Sequence, residues 1–199
     1  MPPAERPVAA GPEPMIGHGS VFLRPAERDD LPRFIAWLSD ARTTRTLASV
    51  APISLAGEER WFDRLLERQG SELWHFVICR VADRRPVGSI DLHALDLVNG
   101  GAGLGIVIGD PSDTSQGYGT DALRALLAFG FGRLRLERIW LDVDATNERA
   151  RRVYRRVGFL DEGVLRNAQF RDGRHEDLVR MSILSGEWTA PATATTPAP

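Results

Sequence analysis

The residues best placed to do chemistry lie in Thr114-Ser-Gln-Gly-Tyr-Gly-Thr120, a glycine-containing turn between a strand-like run and a helical one. Glycine lets a backbone turn tightly and approach an anion closely. The free N–H groups of the first helical turn then point at that anion, and the helix dipole assists. This is the chemistry of a phosphate cradle. The Gly-Lys-Ser/Thr ending of a nucleoside-triphosphate loop is absent, and so is the third glycine of a dinucleotide fingerprint. By itself, Gly-x-Gly also fits an ordinary turn before a helix.

A second segment stands further along, Asn147-Glu-Arg-Ala150-Arg-Arg-Val-Tyr154-Arg-Arg-Val-Gly158-Phe159. Ala150, Val153, Tyr154 and Val157 follow i, i+3, i+4 and i+7, one face of a helix that Gly158 ends. On spacing alone, Tyr154 reads as a core aromatic. Asp91 and His93 alternate along a strand-like run and share its face. The four histidines, His18, His75, His93 and His175, show no metal-ligand spacing. The single cysteine, Cys79, sits in Phe76-Val-Ile-Cys79 and reads as a buried structural thiol.

The elements that must position these groups follow from periodicity. Residues 20–24 predict a first strand and 29–39 a helix with Leu31, Phe34, Ile35 and Leu38 inward. A second helix after Ser54 is expected to bury Trp61, Phe62, Leu65 and Leu66. Strands are predicted over 74–81, 86–92 and 104–108, then a helix from the glycine turn with Leu123, Leu126, Leu127, Phe131 and Leu134 inward. A strand at 138–144, the helix carrying Tyr154, and strands around 163–170 and 175–184 complete the order. The pattern implies an α/β fold with one mixed sheet of six to seven strands and about four helices. The sheet is expected to be antiparallel early and parallel in the centre, across the two crossover helices.

The 199 residues are 43% hydrophobic and 26% charged, enough for one domain with a real core. Residues 1–19 and 189–199 are rich in Pro, Ala, Gly or Thr and are expected to be disordered tails around a domain at 20–188. The net charge of −2 argues against a nucleic-acid partner. No stretch approaches the roughly 20 apolar residues of a membrane span, and no signal-peptide pattern opens the chain. A cytoplasmic location is the expectation. All 25 basic residues are arginine, a bias that a GC-rich genome explains.

The second segment resembles the Asn-x-x-Ala-x-x-x-Tyr-x-x-x-Gly-Phe signature of the GCN5-related N-acetyltransferases (GNAT), and it follows the Gly-x-Gly turn at that family's distance. Leu23-Arg24-Pro25, Asp29-Asp30-Leu31 and the stretch from Gly163 to Met181 look like the RimJ/RimL-type, ribosomal-protein subgroup. The resemblance covers residues 20–186 and implies a GNAT fold with acetyl-CoA as co-substrate. It implies that the N–H groups of Gln116, Gly117, Tyr118, Gly119 and Thr120 hold the CoA pyrophosphate. Ile106, Val107 and Ile108 would pair with the pantetheine amides where neighbouring strands splay. Asn147 would bond the pantetheine arm, Ala150 would keep its helix close, and Tyr154 would protonate the departing thiolate. One of the arginines at 149, 151, 152, 155 and 156 could meet the 3′-phosphate.

The sequence departs from that pattern at Gly103, where relatives often carry a glutamate that draws a proton from the amine through water. Asp91 and His93 are the candidates to replace it. The reaction implied is direct attack of a primary amine on the thioester. The amine could belong to a protein N-terminus, a polyamine or an aminoglycoside. The alternative is a catalytically silent acyl-CoA-binding regulatory module. Subgroup members are often dimers, so a homodimer is expected, although no stripe in the chain marks an interface.

Overall fold

The computed structural model describes residues 14–45, 47 and 51–189. Eight strands form one sheet: β1 (Gly17–His18), β2 (Val21–Pro25), β3 (Trp74–Arg80), β4 (Pro86–Asp96), β5 (Gly101–Ile108), β6 (Arg138–Asp144), β7 (Leu160–Arg171) and β8 (Arg174–Leu184). Five α-helices accompany them among the described residues: α1 (Leu31–Leu38), α2 (Ala41–Thr44), α3 (Leu55–Arg68), α4 (Tyr118–Gly132) and α5 (Glu148–Val157). The mixed α/β sheet is as expected, with one strand and one short helix more.

The added strand is β1, which pairs with β2 and overturns the expected tail as far as residue 19. Asp121, in the first turn of α4, accepts hydrogen bonds from the Ser20 N–H (2.9 Å) and hydroxyl (2.8 Å), fixing that corner. The rest of the expected N-terminal tail, residues 1–13, lies outside the described residues, as do 190–199 of the C-terminal one.

The strand order is β1-β2-β3-β4-β5-β6-β8-β7. Only β5 and β6 pair in parallel; β8 inserts between β6 and β7, so the second crossover joins strands that are not neighbours. The expected parallel centre is therefore a single pair. The β7–β8 hairpin turns through Asp172 and Gly173, both left-handed (φ 48 and 82), as a tight two-residue turn requires.

One core lies between the sheet and α4 and α5, with Ile90, Leu92, Leu104, Leu123, Leu126 and Phe159 among its buried members. A second, on the opposite face, packs Phe34 and Trp37 of α1 and Phe62 and Leu65 of α3 against Val77 and Cys79. Cys79 is a buried free thiol, as expected. Leu66 is not buried but 57% exposed. The buried stripe of α3 runs through Glu58, Phe62 and Leu65, at i, i+4 and i+7, and Leu66 lies one step off it.

Alternation along β4 has a functional consequence. Ile90 and Leu92 enter the α4 core, so Ser89, Asp91 and His93 emerge on the α1–α3 face. In β5 the same rule sends Ala102 and Leu104 to α4 and Gly103, Gly105 and Val107 to the other face. Among the described residues, no helix is long and apolar enough to cross a membrane.

Candidate active site

The glycine turn has the geometry of an anion cradle. Ser115 (φ 63) and Gly117 (φ 89) are both left-handed and swing the chain into α4. Gly117 is the N-cap and offers no side-chain cap. The Asp121 N–H bonds the Gly117 carbonyl at 3.1 Å, so Tyr118, Gly119 and Thr120 present N–H groups with no helical acceptor. A Cβ on Gly117 would meet nothing within 4 Å, which leaves the approach open. The Thr114 hydroxyl donates to the Pro111 carbonyl (2.7 Å) and tightens the turn.

Beside the cradle, the sheet splays. β4 and β5 stay in register from Gly103 to Ile108, but β5 and β6 pair only from Gly101–Arg138 to Gly103–Trp140. Leu104 to Ile108 thus has a backbone edge with no β6 partner. This edge, which includes Ile106, Val107 and Ile108, can take a chain of amides as a strand would. Ile106 and Ile108 lie within about 4 Å of where a Gly119 Cβ would stand, so edge and cradle adjoin. Unpaired donors, an open approach and a free strand edge together fit a CoA-like molecule.

On α5, Asn147 is the N-cap: its Oδ1 accepts from the Ala150 N–H at 3.1 Å. Its side-chain amide N–H groups remain for another acceptor. Gly158 (φ 119) ends the helix in the left-handed conformation. Tyr154 is half-buried against Phe159, ring centroids 5.9 Å apart, and burial pushes its phenol up to about 12. It is therefore a hydrogen-bond donor throughout the physiological range. Among the arginines, Arg151 and Arg155 pair with Glu148 and Asp161. Arg149, Arg152 and Arg156 make no ion pair among the described residues and stay exposed.

Asp91 and His93 come together as a pair, with Asp91 Oδ1 2.7 Å from His93 Nδ1. That hydrogen bond raises the imidazole's pKa against the lowering effect of its burial. The glycines opposite make the room. A Cβ on Gly105 would stand 2.7 Å from Asp91 Oδ2, and one on Gly103 would collide with His93 Nε2. The His93 ring also meets Trp140 edge-on at 5.8 Å. The pair thus stands over the start of the unpaired β5 edge, where a Gly103 side chain would otherwise project.

Two residues of this face were not singled out in the sequence. Glu58, 4% exposed, lines a cavity of about 210 Å³ with Phe34, Trp37, Trp61, His75, Ser89 and Val107. Burial raises the pKa of its carboxyl. His75 Nε2 is buried without a hydrogen-bond partner, and burial lowers the pKa of that ring. The available signal for Glu58 was its spacing of four and seven residues before Phe62 and Leu65, which puts it on their buried stripe.

Residues 20–160 match the acetyltransferase (GNAT) domain. The chain belongs to the GNAT acetyltransferase family. Acetyl-CoA is the co-substrate of this family, and its members are N-acetyltransferases. Along 172 residues, the chain is 31% identical to a spermidine N(1)-acetyltransferase of Escherichia coli K12, covering 86% of this chain and 89% of that protein. It is 40% identical over 101 residues to a Bacillus subtilis protein provisionally named as a ribosomal N-acetyltransferase, YdaF. That match spans 51% of this chain and about half the length of the relative (55%). The crystal structure of a Vibrio cholerae spermidine N-acetyltransferase with CoA and spermine shares the fold, at a TM-score of 0.79 and 24% identity over 84% of this chain and 97% of that one. The matches do not single out the RimJ/RimL subgroup.

Proposed function

We propose that the chain transfers the acetyl group of acetyl-CoA to a primary amine of a polyamine, with Asp91–His93 as the proton acceptor and Tyr154 as the donor to sulfur. The observation that carries the reaction is the unpaired β5 edge, flanked by the uncapped start of α4 and by the Asp91–His93 pair. The polyamine is supported by the likeness to the E. coli enzyme over most of both chains. Gln116 through Thr120 hold the pyrophosphate, Ile106 to Ile108 and Asn147 the pantetheine arm, and Ala150 lets α5 come close. His93, assisted by Asp91, takes a proton from the ammonium, directly or through water. The neutral amine forms the new N–C bond and the C–S bond breaks; the thiolate leaves towards Tyr154, and the proton that the nitrogen sheds on becoming an amide passes to the sulfur, with Tyr154 hydrogen-bonded there. A phenol near 12 gives a proton to a thiolate of ordinary pKa, about 8.5, only uphill. Burial penalises the thiolate's charge as well and narrows that gap. Tyr154 therefore acts first as a hydrogen-bond donor to the departing sulfur.

The YdaF likeness favours a second reading, acetylation of a protein N-terminal amine in the manner of the ribosomal subgroup. A silent regulatory module has no comparable support, and the likeness to an N-acetyltransferase over most of both chains speaks against it. The reading includes a homodimer, checked by the protein's mass in solution. The deciding experiment is thiol release from acetyl-CoA with spermidine, spermine, aminoglycosides and N-terminal peptides side by side. Higher kcat/KM for the polyamines supports the first reading; preference for peptides replaces it with the second.

A further inference from the structure

The mechanism leaves one buried acid without a task. Glu58 has no hydrogen-bond or ion-pair partner among the described residues, yet it lines a cavity walled by aromatic rings. A buried carboxylate without a partner is costly, and burial has shifted this one toward its neutral form. Around it, Phe34 and Trp61 meet edge to face with centroids 5.9 Å apart, as Trp61 and His75 do at 5.2 Å. Aromatic walls with one acid among them suit an organic ammonium, which gains from ring faces and from the carboxylate together.

The cavity also lies at the right distance. Its floor includes Ser89 and Val107, which face each other across β4 and β5; the next such pair on this face is Asp91 and Gly105. Two residues along a strand is about 7 Å. The nitrogens of a diamine with a four-carbon spacer lie about 6 Å apart when extended, close to that interval, so that with one nitrogen beside Asp91 the other reaches the cavity lined by Val107 and Glu58. The neighbouring cavity holding Asp91 also carries Arg64 and Arg68, which repel a second cation there. Trp37 is held over the end of β5 because Gly109 has no side chain to displace its ring, and the Thr43 hydroxyl donates to the Gly109 carbonyl at 2.8 Å. The wall of the cavity is therefore braced against the strand that carries Val107.

We infer that Glu58 binds the second, non-reacting ammonium of the acceptor, so that the site selects di- and polyamines over monoamines. The inference rests on the polyamine reading and assigns that substrate class to a particular carboxylate. Its test compares wild type with Glu58→Gln, a near-isosteric change, and Glu58→Asp, using spermidine and a monoamine of matched length. For spermidine, Glu58→Gln should raise KM about 10- to 100-fold with kcat little changed, and Glu58→Asp should lose less. KM for the monoamine and for acetyl-CoA should stay put. An equal loss for both amines, or no loss for either, overturns the assignment. Calorimetric binding of spermidine in the presence of CoA separates the two claims. Binding without turnover by wild type, weakened in Glu58→Gln, retracts the proposed reaction and keeps the subsite. Equal binding by wild type and variant overturns the subsite alone, and no binding to wild type overturns both.

Discussion

The imidazole of His93 occupies the space that a side chain at Gly103 would need, across the β4–β5 register. The glutamate familiar in relatives at this position and the present His93 rotamer exclude one another. Gly103→Ala should therefore displace the ring from Asp91 and lower kcat by about ten-fold or more, within the range that general-base catalysis contributes. In a His93→Ala background the same change should add little, because both substitutions remove one function. Steady-state rates of the two single variants and the double variant check this; independent, additive losses would show that Gly103 matters for another reason.

The Asp91 hydrogen bond raises the pKa of His93. A base must be neutral to accept a proton, so activity should rise with pH through a value above the ordinary imidazole pKa of about 6.5. Asp91→Asn removes the carboxylate that holds the imidazolium. The acid limb of the kcat profile should then move down in pH, while its height falls because the ring loses its orienting partner. A limb that stays in place in Asp91→Asn would mean that another group titrates.

Much of this was legible in the sequence, for reasons that can be named. Gly117 and Gly158 are local signals, a tight turn and a helix stop, each set by a few neighbouring residues; the helix cap made by Asn147 was not read from the sequence. The face shared by Asp91 and His93 follows from strand alternation alone. What stayed hidden depends on partners distant in the chain. The two residues of β1 are a strand only because β2 lies beside them. That β8 separates β6 from β7 is a choice among pairings with equal local merit. Leu66 and Glu58 differ in kind, since their signal was local: hydrophobicity predicts the first inside and the second outside, and the helical stripe through Phe62 and Leu65 reverses both.

Gly117 makes a separable prediction. It is left-handed, but a Cβ there would touch nothing within 4 Å, so Gly117→Ala should cost backbone strain of about 1–2 kcal/mol without a clash. Relaxation of that strain turns the N–H groups of the cradle away from their anion. KM for acetyl-CoA should rise several-fold, with kcat at saturation little changed. Thermal unfolding and acetyl-CoA titration measure the two effects; a stability loss with unchanged KM would remove the turn from the cofactor site.

The proposed reaction is acetyl transfer to an amine with Tyr154 beside the departing sulfur. It is tested most directly by measuring released thiol and acetylated spermidine in the same reaction, for wild type and Tyr154→Phe. Wild type should release one thiol per acetylated amine. In the variant kcat should fall by about 10²-fold or more, with acetyl-CoA affinity and unfolding temperature close to wild type. Undiminished turnover in Tyr154→Phe, or firm acetyl-CoA binding with no amine acetylated by wild type, would contradict it.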